Sequence, residues 1–325
     1  MAKPKVFVTR VIAERGLNII KDFCETEIWP DELPPSHAVL LEKVRGMDGL
    51  VCMLTDHINE EVMEAGKQLK VISNHAVGFD NIDVSAATVR RIPVGNTPDI
   101  LTDATADFAF ALMMAAGRRL MEGEHYVRDG KWKTWSPSLL LGVDFKGATL
   151  GLIGFGRIGK AMARRAAGFE MRVLFYDPME TKPDSDIKAA QVDLETLLEE
   201  SDFISLHTPL TPDTHHLIDA AALAKMKPNA VLVNTARGPV VDLEALYQTL
   251  KEHRIFAAGL DVTEPEPLPK DHPLLTLENV LVMPHIASGS KTTRDKMSWI
   301  AAQNLIAGLK GQRLPNCVNP QVYTK

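Results

Sequence analysis

The feature that most constrains this 325-residue chain is Gly154-Phe155-Gly156-Arg157-Ile158-Gly159, set between the apolar run Ala148–Ile153 and the helix-forming stretch Ile158–Ala167. Three glycines at this spacing are common by themselves; between a strand and a helix they describe one tight βα turn. The first permits the turn, the second lets backbone approach a pyrophosphate, and the third lets the helix pack closely on its strand. The helix N-terminus, with its unpaired N–H groups, attracts phosphate charge. The next strand candidate ends at Tyr176-Asp177, and Asp177 lies 18 residues after Gly159. A carboxylate there accepts hydrogen bonds from the adenosine ribose hydroxyls and repels a 2′-phosphate, so the expected cofactor is NAD(H) rather than NADP(H).

The rest of the chain repeats the same alternation of short apolar runs and longer helical stretches, the pattern of α/β folds with doubly wound parallel sheets. From residue 148 onward six strands are expected: Ala148–Ile153, Met171–Tyr176, Asp202–Leu206, Ala230–Asn234, Ala257–Val262 and Val280–Met283. Six parallel strands with crossovers make a Rossmann unit. The first hundred residues form a smaller α/β unit with four strand candidates, Lys5–Thr9, Gly49–Met53, Lys70–Ser73 and Ile92–Gly95, and no glycine loop of this kind. A helix, Asp103–Arg119, is apolar on several sides, which suits burial at a domain or subunit interface. An extended arm, Lys131–Val143, carries Trp132 and Trp135 as interface anchors or core residues. A last helix, Lys291–Leu309, precedes a tail without a strand pattern, expected to return to the first unit.

Composition narrows the function classes. A net charge of −6 argues against nucleic acid or an anionic membrane as partner. No run of 18 apolar residues and no signal-peptide core is present. The three cysteines, Cys24, Cys52 and Cys317, match no zinc or disulfide spacing. These features make a cytoplasmic location the expectation. No metal is expected either. His207, His215 and His216 lack ligand spacing, because adjacent residues do not share a face of a strand or helix, and no carboxylate completes a set.

In open α/β sheets ligands bind beyond the carboxyl ends of the strands. Three of the six strands end in residues suited to chemistry: one runs into Thr235-Ala236-Arg237-Gly238, one into Thr263-Glu264-Pro265-Glu266-Pro267, and one into Pro284-His285-Ile286-Ala287. Parallel topology delivers an Arg, a Glu and a His to the edge where the dinucleotide lies. Reduction of a 2-oxo acid needs those three types. A guanidinium grips the carboxylate and polarises the carbonyl. An imidazolium donates a proton as hydride arrives at carbon 2. A carboxylate beside the imidazole orients it and favours its charged form.

With these motifs the chain resembles the D-isomer-specific 2-hydroxyacid dehydrogenases over nearly its whole length. The resemblance rests on Val77-Gly78-Phe79-Asp80-Asn81-Ile82-Asp83, Gly154–Gly159 with Asp177, His207-Thr208-Pro209-Leu210-Thr211, Asn234–Gly238, Asp261–Pro267 and Pro284–Ser288. It implies Arg237, Glu266 and His285 as the catalytic set. It implies a substrate carboxylate held by backbone N–H groups of Val77 and Gly78, with Leu54, Arg237 and Trp135 also at the substrate. The implied dinucleotide contacts are Thr105, the loop from Gly154 through Phe155, Gly156, Arg157 and Ile158 to Gly159, then Asp177, His207, Thr208, Pro209, Thr214, Thr235, Ala236, Arg237, Asp261, His285 and Ala287. Asp261 is expected at the nicotinamide amide.

The same resemblance implies a discontinuous, flavodoxin-like substrate domain, 1–98 with 286–325, around a Rossmann domain, 99–285. It also implies an active site in the cleft between them and a homodimer joined through the cofactor domains. Within the family the chain is similar to glyoxylate and hydroxypyruvate reductases, through Leu54-Thr55-Asp56, Asn96-Thr97-Pro98-Asp99 and Trp132-Lys133-Thr134-Trp135-Ser136-Pro137. The activity this implies is NAD(H)-dependent interconversion of glyoxylate and glycolate or of hydroxypyruvate and D-glycerate. The competing expectations are D-lactate, phosphoglycerate or sugar-acid dehydrogenase activity, and an NAD-sensing corepressor. Two departures bear on substrate choice: Asn74-His75-Ala76 precedes Val77-Gly78, and Thr263 replaces a common aromatic residue.

Overall fold

A computed structural model describes residues 2–180 and 182–324. They group into two compact units, 1–101 with 289–325, and 102–288. The first holds a five-stranded parallel sheet built from β1 (Lys5–Val8), β2 (Glu25–Ile28), β3 (Gly49–Cys52), β4 (Val71–Asn74) and β5 (Val94–Gly95), in the order β2-β1-β3-β4-β5. That is the flavodoxin-type order. All of its strands but β2 are buried on both faces. Val6 and Val8 pack with Ile20, Ala302 and Leu305, from the helices Glu14–Phe23 and Lys291–Leu309. Phe7, Leu50 and Ile72 face the opposite layer, with Leu40 and Val62. Alternate residues pointing to opposite, equally dry layers explain why these strands read as continuous apolar runs. Gly16 is set by this packing, since a Cβ there would lie 2.1 Å from the Ser298 carbonyl oxygen. The tail joins this sheet through Val318 N–H to the Val94 carbonyl, 2.8 Å.

The second unit has seven strands, not the six expected: β6 (Thr149–Ile153), β7 (Arg172–Tyr176), β8 (Ala190–Gln191), β9 (Phe203–Leu206), β10 (Val231–Asn234), β11 (Ala257–Leu260) and β12 (Val280–Val282). Their order is β12-β11-β10-β9-β6-β7-β8, all parallel. The chain builds outward from β6 in one direction, then returns to β9 and builds in the other. The crevice beyond the ends of β6 and β9 is therefore the topological switch point, where such sheets bind ligands. The two strands not anticipated, β2 and β8, are edge strands. β2 is Glu-Thr-Glu-Ile and β8 is two exposed residues, so neither carries the apolar run by which buried parallel strands are recognised.

The helix expected to end at Arg119 stops at Gly117, and a second helix, Leu120–Arg128, begins after Arg119, whose φ is +54°. Ala106, Ala109, Phe110 and Met113 of the helix Thr102–Gly117 are buried with Leu150, Leu152, Val231 and Val233, so its apolar surface covers its own unit's sheet. Among the described residues no helix is long and apolar enough to cross a membrane.

Candidate active site

The dinucleotide-type turn forms where β6 ends. Gly154 has φ +90°, and a Cβ there would lie 2.6 Å from the carbonyl carbon and oxygen of His207, the residue after β9. A Cβ on Gly159 would lie 2.2 Å from the Gly154 carbonyl oxygen, so the helix Arg157–Ala167 starts against the strand end. A Cβ on Gly156 would meet nothing within 4 Å. Gly156 and Arg157 are exposed and Ile158 is half-buried. Phe155 is fully buried and stacks on Phe175 with centroids 3.9 Å apart, leaving only its backbone to a ligand. An open backbone surface ahead of a helix N-terminus fits a pyrophosphate. Asp177, at the end of β7, accepts from Phe155 N–H (2.7 Å), Met179 N–H (2.8 Å) and Glu180 N–H (3.0 Å). The acid is thereby pinned at the rim of the glycine turn.

His207 N–H donates to the Ile153 carbonyl (2.7 Å), and its Nε2 lies 2.9 Å from the Ser205 hydroxyl. Burial pushes its pKa down to about 3, so this imidazole is neutral. Thr208 is half-buried and Pro209 exposed beside it. Thr214 ties the same loop, accepting from Thr211 N–H and donating to the Pro209 carbonyl. Thr105 is buried in the helix Thr102–Gly117. The buried Thr235 hydroxyl, just past β10, has no hydrogen-bond partner among the described residues, a polar atom suited to a ligand at the strand end.

Three neighbouring strands, β10, β11 and β12, present the remaining groups. The Asn234 amide donates to the Arg237 carbonyl (2.8 Å), and its oxygen accepts from Ala236 N–H (3.0 Å), closing the turn that presents the half-buried Arg237. Gly238 follows because a Cβ there would sit 2.0 Å from the Thr263 carbonyl oxygen, so the Arg turn and the segment after β11 touch backbone to backbone. Thr263 is buried and its hydroxyl donates to the Pro265 carbonyl (2.8 Å), shaping the segment that carries Glu266. Glu266 Oε1 lies 2.5 Å from His285 Nδ1.

His285 has φ +53°, a left-handed backbone that a non-glycine residue keeps only when its surroundings impose it. Asp261 supplies that constraint. Its carbonyl accepts from His285 N–H (2.9 Å), and its two carboxylate oxygens accept from Ile286 N–H (2.8 Å) and Ala287 N–H (2.7 Å). Burial pushes the Asp261 carboxyl above the usual carboxylate range, and the two N–H donors oppose that rise.

The structure thus brings Arg237, Glu266, His285 and Asp261 to adjacent strand ends, and Gly154–Gly159, Asp177 and His207 to the switch point. Leu54, Val77 and Gly78 belong to the first unit, all half-buried. There the Val77 carbonyl accepts from the Asn96 amide (2.8 Å) and the Gly78 carbonyl from the Asn74 amide (2.9 Å). Because the Val77 carbonyl and the Gly78 N–H share one rigid peptide, fixing the first aims the second. Asn81 reaches from the same loop to the Met53 and Asp56 carbonyls, both at 3.0 Å, and so braces Leu54.

Sequence alone does not single out Asn74, Asn81, Asn96 and Asn234 as positioning groups. Asn74 and Asn234 carry a local signal, a carboxamide two to four residues from the backbone it bonds, whereas Asn81 and Asn96 reach carbonyls distant in sequence and carry none. Trp135 stands 78% exposed and Trp132 59%, so neither is core within this chain. The expected absence of a histidine cluster is corrected by the backbone. His216 has φ +50°, which folds its ring back onto His215 at 4.0 Å, and Glu264 supplies the missing carboxylate.

Residues 110–287 match the family described as D-isomer specific 2-hydroxyacid dehydrogenase, NAD binding domain. A glyoxylate reductase of Korarchaeum cryptofilum is 54% identical over 322 residues, covering 98% of this chain and 97% of that protein. A glyoxylate reductase of Thermococcus litoralis is 50% identical over 327 residues, covering 99% and 98%. The TT0316 protein of Thermus thermophilus superposes with a TM-score of 0.91 at 47% identity, covering 97% of this chain and 99% of the other.

Proposed function

The chain belongs to the D-isomer specific 2-hydroxyacid dehydrogenases, and from that premise we propose that it reduces glyoxylate or hydroxypyruvate with NADH, giving glycolate or D-glycerate. The family assignment makes it an oxidoreductase of 2-oxo and D-2-hydroxy acids with a nicotinamide dinucleotide. The small-acid substrate is supported by the two glyoxylate reductases that resemble it along nearly their full length. The observation that carries the catalytic reading is the 2.5 Å contact between His285 Nδ1 and Glu266, on strand ends next to the Arg237 turn.

The residues that would hold the dinucleotide are the Gly154–Gly159 turn, Asp177, His207, Thr235 and Ala236, with Thr105, Arg157, Thr208, Pro209, Thr214, Asp261 and Ala287 around them. When bound, the nicotinamide supplies or accepts the hydride. Arg237 grips the substrate carboxylate through its planar fork. In the first unit, the fixed peptides of Val77 and Gly78 are the corresponding anion-binding backbone. Glu266 accepts from His285 Nδ1, which leaves Nε2 to give its proton to the carbonyl oxygen in reduction and to take it back in oxidation. Asp261 holds the His285 turn in shape.

Asp177 supports NADH over NADPH, because its carboxylate would face a 2′-phosphate. Assembly as a homodimer through the second unit is supported by an uncovered apolar surface there. The helix Leu120–Arg128 buries none of its residues, and Leu120, Val127, Trp132, Trp135 and Leu141 are exposed. The deciding experiment is steady-state oxidation of NADH and NADPH with glyoxylate, hydroxypyruvate, pyruvate and 2-oxogluconate, with the mass measured in solution. We expect the highest kcat/KM for NADH with glyoxylate and hydroxypyruvate, and a dimer. Higher kcat/KM with pyruvate or 2-oxogluconate refutes the substrate assignment. A preference for NADPH refutes the role given to Asp177, and a monomer refutes the use of the exposed arm.

A further inference from the structure

We propose that His215, His216 and Glu264 form a binding site for a transition-metal cation of the Zn2+ type, on the surface of the second unit and built from residues other than Arg237, Glu266 and His285. In a helix or strand two successive side chains diverge. Here the left-handed backbone of His216 turns its ring onto that of His215, with centroids 4.0 Å apart and planes 26° from parallel. Backbone ties set that conformation: His215 N–H donates to the Thr211 carbonyl (3.0 Å) and His216 N–H to the Pro239 carbonyl (2.8 Å).

Glu264 arrives from the segment after β11, and its Oε2 lies 3.3 Å from His216 Nε2. One ligand atom from each of the three residues lies within 4.8 Å of the other two. Ligands about 2.0–2.1 Å from a tetrahedral cation stand roughly 3.3–3.4 Å apart. The His216–Glu264 spacing already meets that value. The His215 ring is exposed, so side-chain rotation can take it out of the stack and bring its in-plane nitrogen lone pair to the same point.

An ion pair with Glu264 needs one imidazole and gives no role to a second ring stacked on the first, and two cationic rings at that distance would repel. A cation shared by the three would engage both rings once the His215 ring turns out of the stack. Two imidazoles and one carboxylate suit Zn2+, Co2+, Ni2+ or Cu2+ and not Mg2+ or Ca2+, which take all-oxygen sets. Three protein ligands on an exposed surface leave the remaining position to water. A bound cation would join the loop after β9 to the segment that carries Glu266 two residues further on.

The test uses the full chain, stripped with a chelator and titrated with Co2+ by visible absorption and with Zn2+ by calorimetry. The expected result is saturable binding of one equivalent, with Zn2+ displacing Co2+. His215→Ala and Glu264→Gln should each weaken Zn2+ at least tenfold. His216→Asn should do the same while retaining a residue that tolerates the left-handed backbone. Circular dichroism confirms that each variant is folded, and the exposed His215→Ala is the variant least able to disturb the backbone. Absence of saturable binding, or an affinity unchanged in His215→Ala and Glu264→Gln, overturns the proposal. Both readouts are independent of oxidoreductase activity.

Discussion

The two units solve one problem, presenting groups at the carboxyl ends of parallel strands, in opposite ways. In the first, side chains hold backbone. The carboxamides of Asn74, Asn81 and Asn96 pin the carbonyls of Gly78, Met53, Asp56 and Val77. In the second, the Asn234 amide on the Arg237 carbonyl apart, backbone holds side chains. Peptide N–H groups at Phe155, Met179 and Glu180 fix Asp177, and those at Ile286 and Ala287 fix Asp261. Neutral amides would suit the anion-binding backbone proposed for Val77 and Gly78. Charged groups held by dipoles suit a surface where charge develops or a proton moves. Each unit also holds a neutral histidine just after a strand, His75 buried and His207 half-buried. His207 has the Ser205 hydroxyl at 2.9 Å, whereas His75 Nε2 has no partner among the described residues.

If that division of labour is right, the largest effect lies in the second unit. His285→Ala should lower kcat by roughly 10²–10⁴-fold, the usual worth of a general acid, while NADH binding measured by fluorescence persists. Ordinary turnover in that variant would move the proton donor elsewhere. Next comes Arg237→Lys, expected to cost on the order of 10²-fold in kcat/KM, with KM raised and kcat lowered together, because Lys cannot reproduce a bidentate grip. Near-normal kcat/KM would remove Arg237 from the site.

In the first unit Asn96→Ala should act on binding alone. The freed peptide loses its aim, and KM for the 2-oxo acid should rise about tenfold with NADH affinity unchanged, in line with one lost hydrogen bond. A change in NADH affinity with KM untouched would erase the contrast between the units.

The smallest effect is on stability. Burial holds His75 at about 4, with the nearby Arg294 adding to the depression, and His207 at about 3. Both lie below the unfolded value of about 6.5. Each stabilisation is therefore complete above pH 6.5 and is lost as pH falls toward the folded pKa. The loss is about 1 kcal/mol per pH unit per group. Urea unfolding between pH 7 and 4 should show this slope, and His75→Leu should reduce it by about one proton. A slope unchanged in that variant would deny His75 its buried, neutral state.

Where these expectations come from differs by residue. The glycine turn, Asp177 and the Arg, Glu and His strand ends were legible because each carries a local rule, a strand followed by a fixed spacing of residue types. The positioning asparagines were not legible. A carboxamide is informative only once its partner carbonyl is known, and Asn96 and Val77 are 19 positions apart. The left-handed turns at His216 and His285 were equally hidden, since histidine, although enriched at positive φ, adopts it too rarely for the sequence to mark the position. The expectation that adjacent histidines diverge was sound for a helix or strand and failed at a turn.

By itself, then, the order of apolar runs and helical stretches determined two parallel α/β sheets, because dry faces on both sides demand continuous apolar strands. It also determined the chemistry offered at the strand ends, because parallel topology sends those ends to one edge. Only the tertiary structure decided the edge strands β2 and β8, whose pairing rests on a neighbour and not on burial. Only it decided the 2.5 Å meeting of His285 with Glu266 and the gathering of His215, His216 and Glu264. Such contacts join residues far apart in sequence, and their geometry depends on backbone turns imposed by packing and hydrogen bonds, which no local preference encodes.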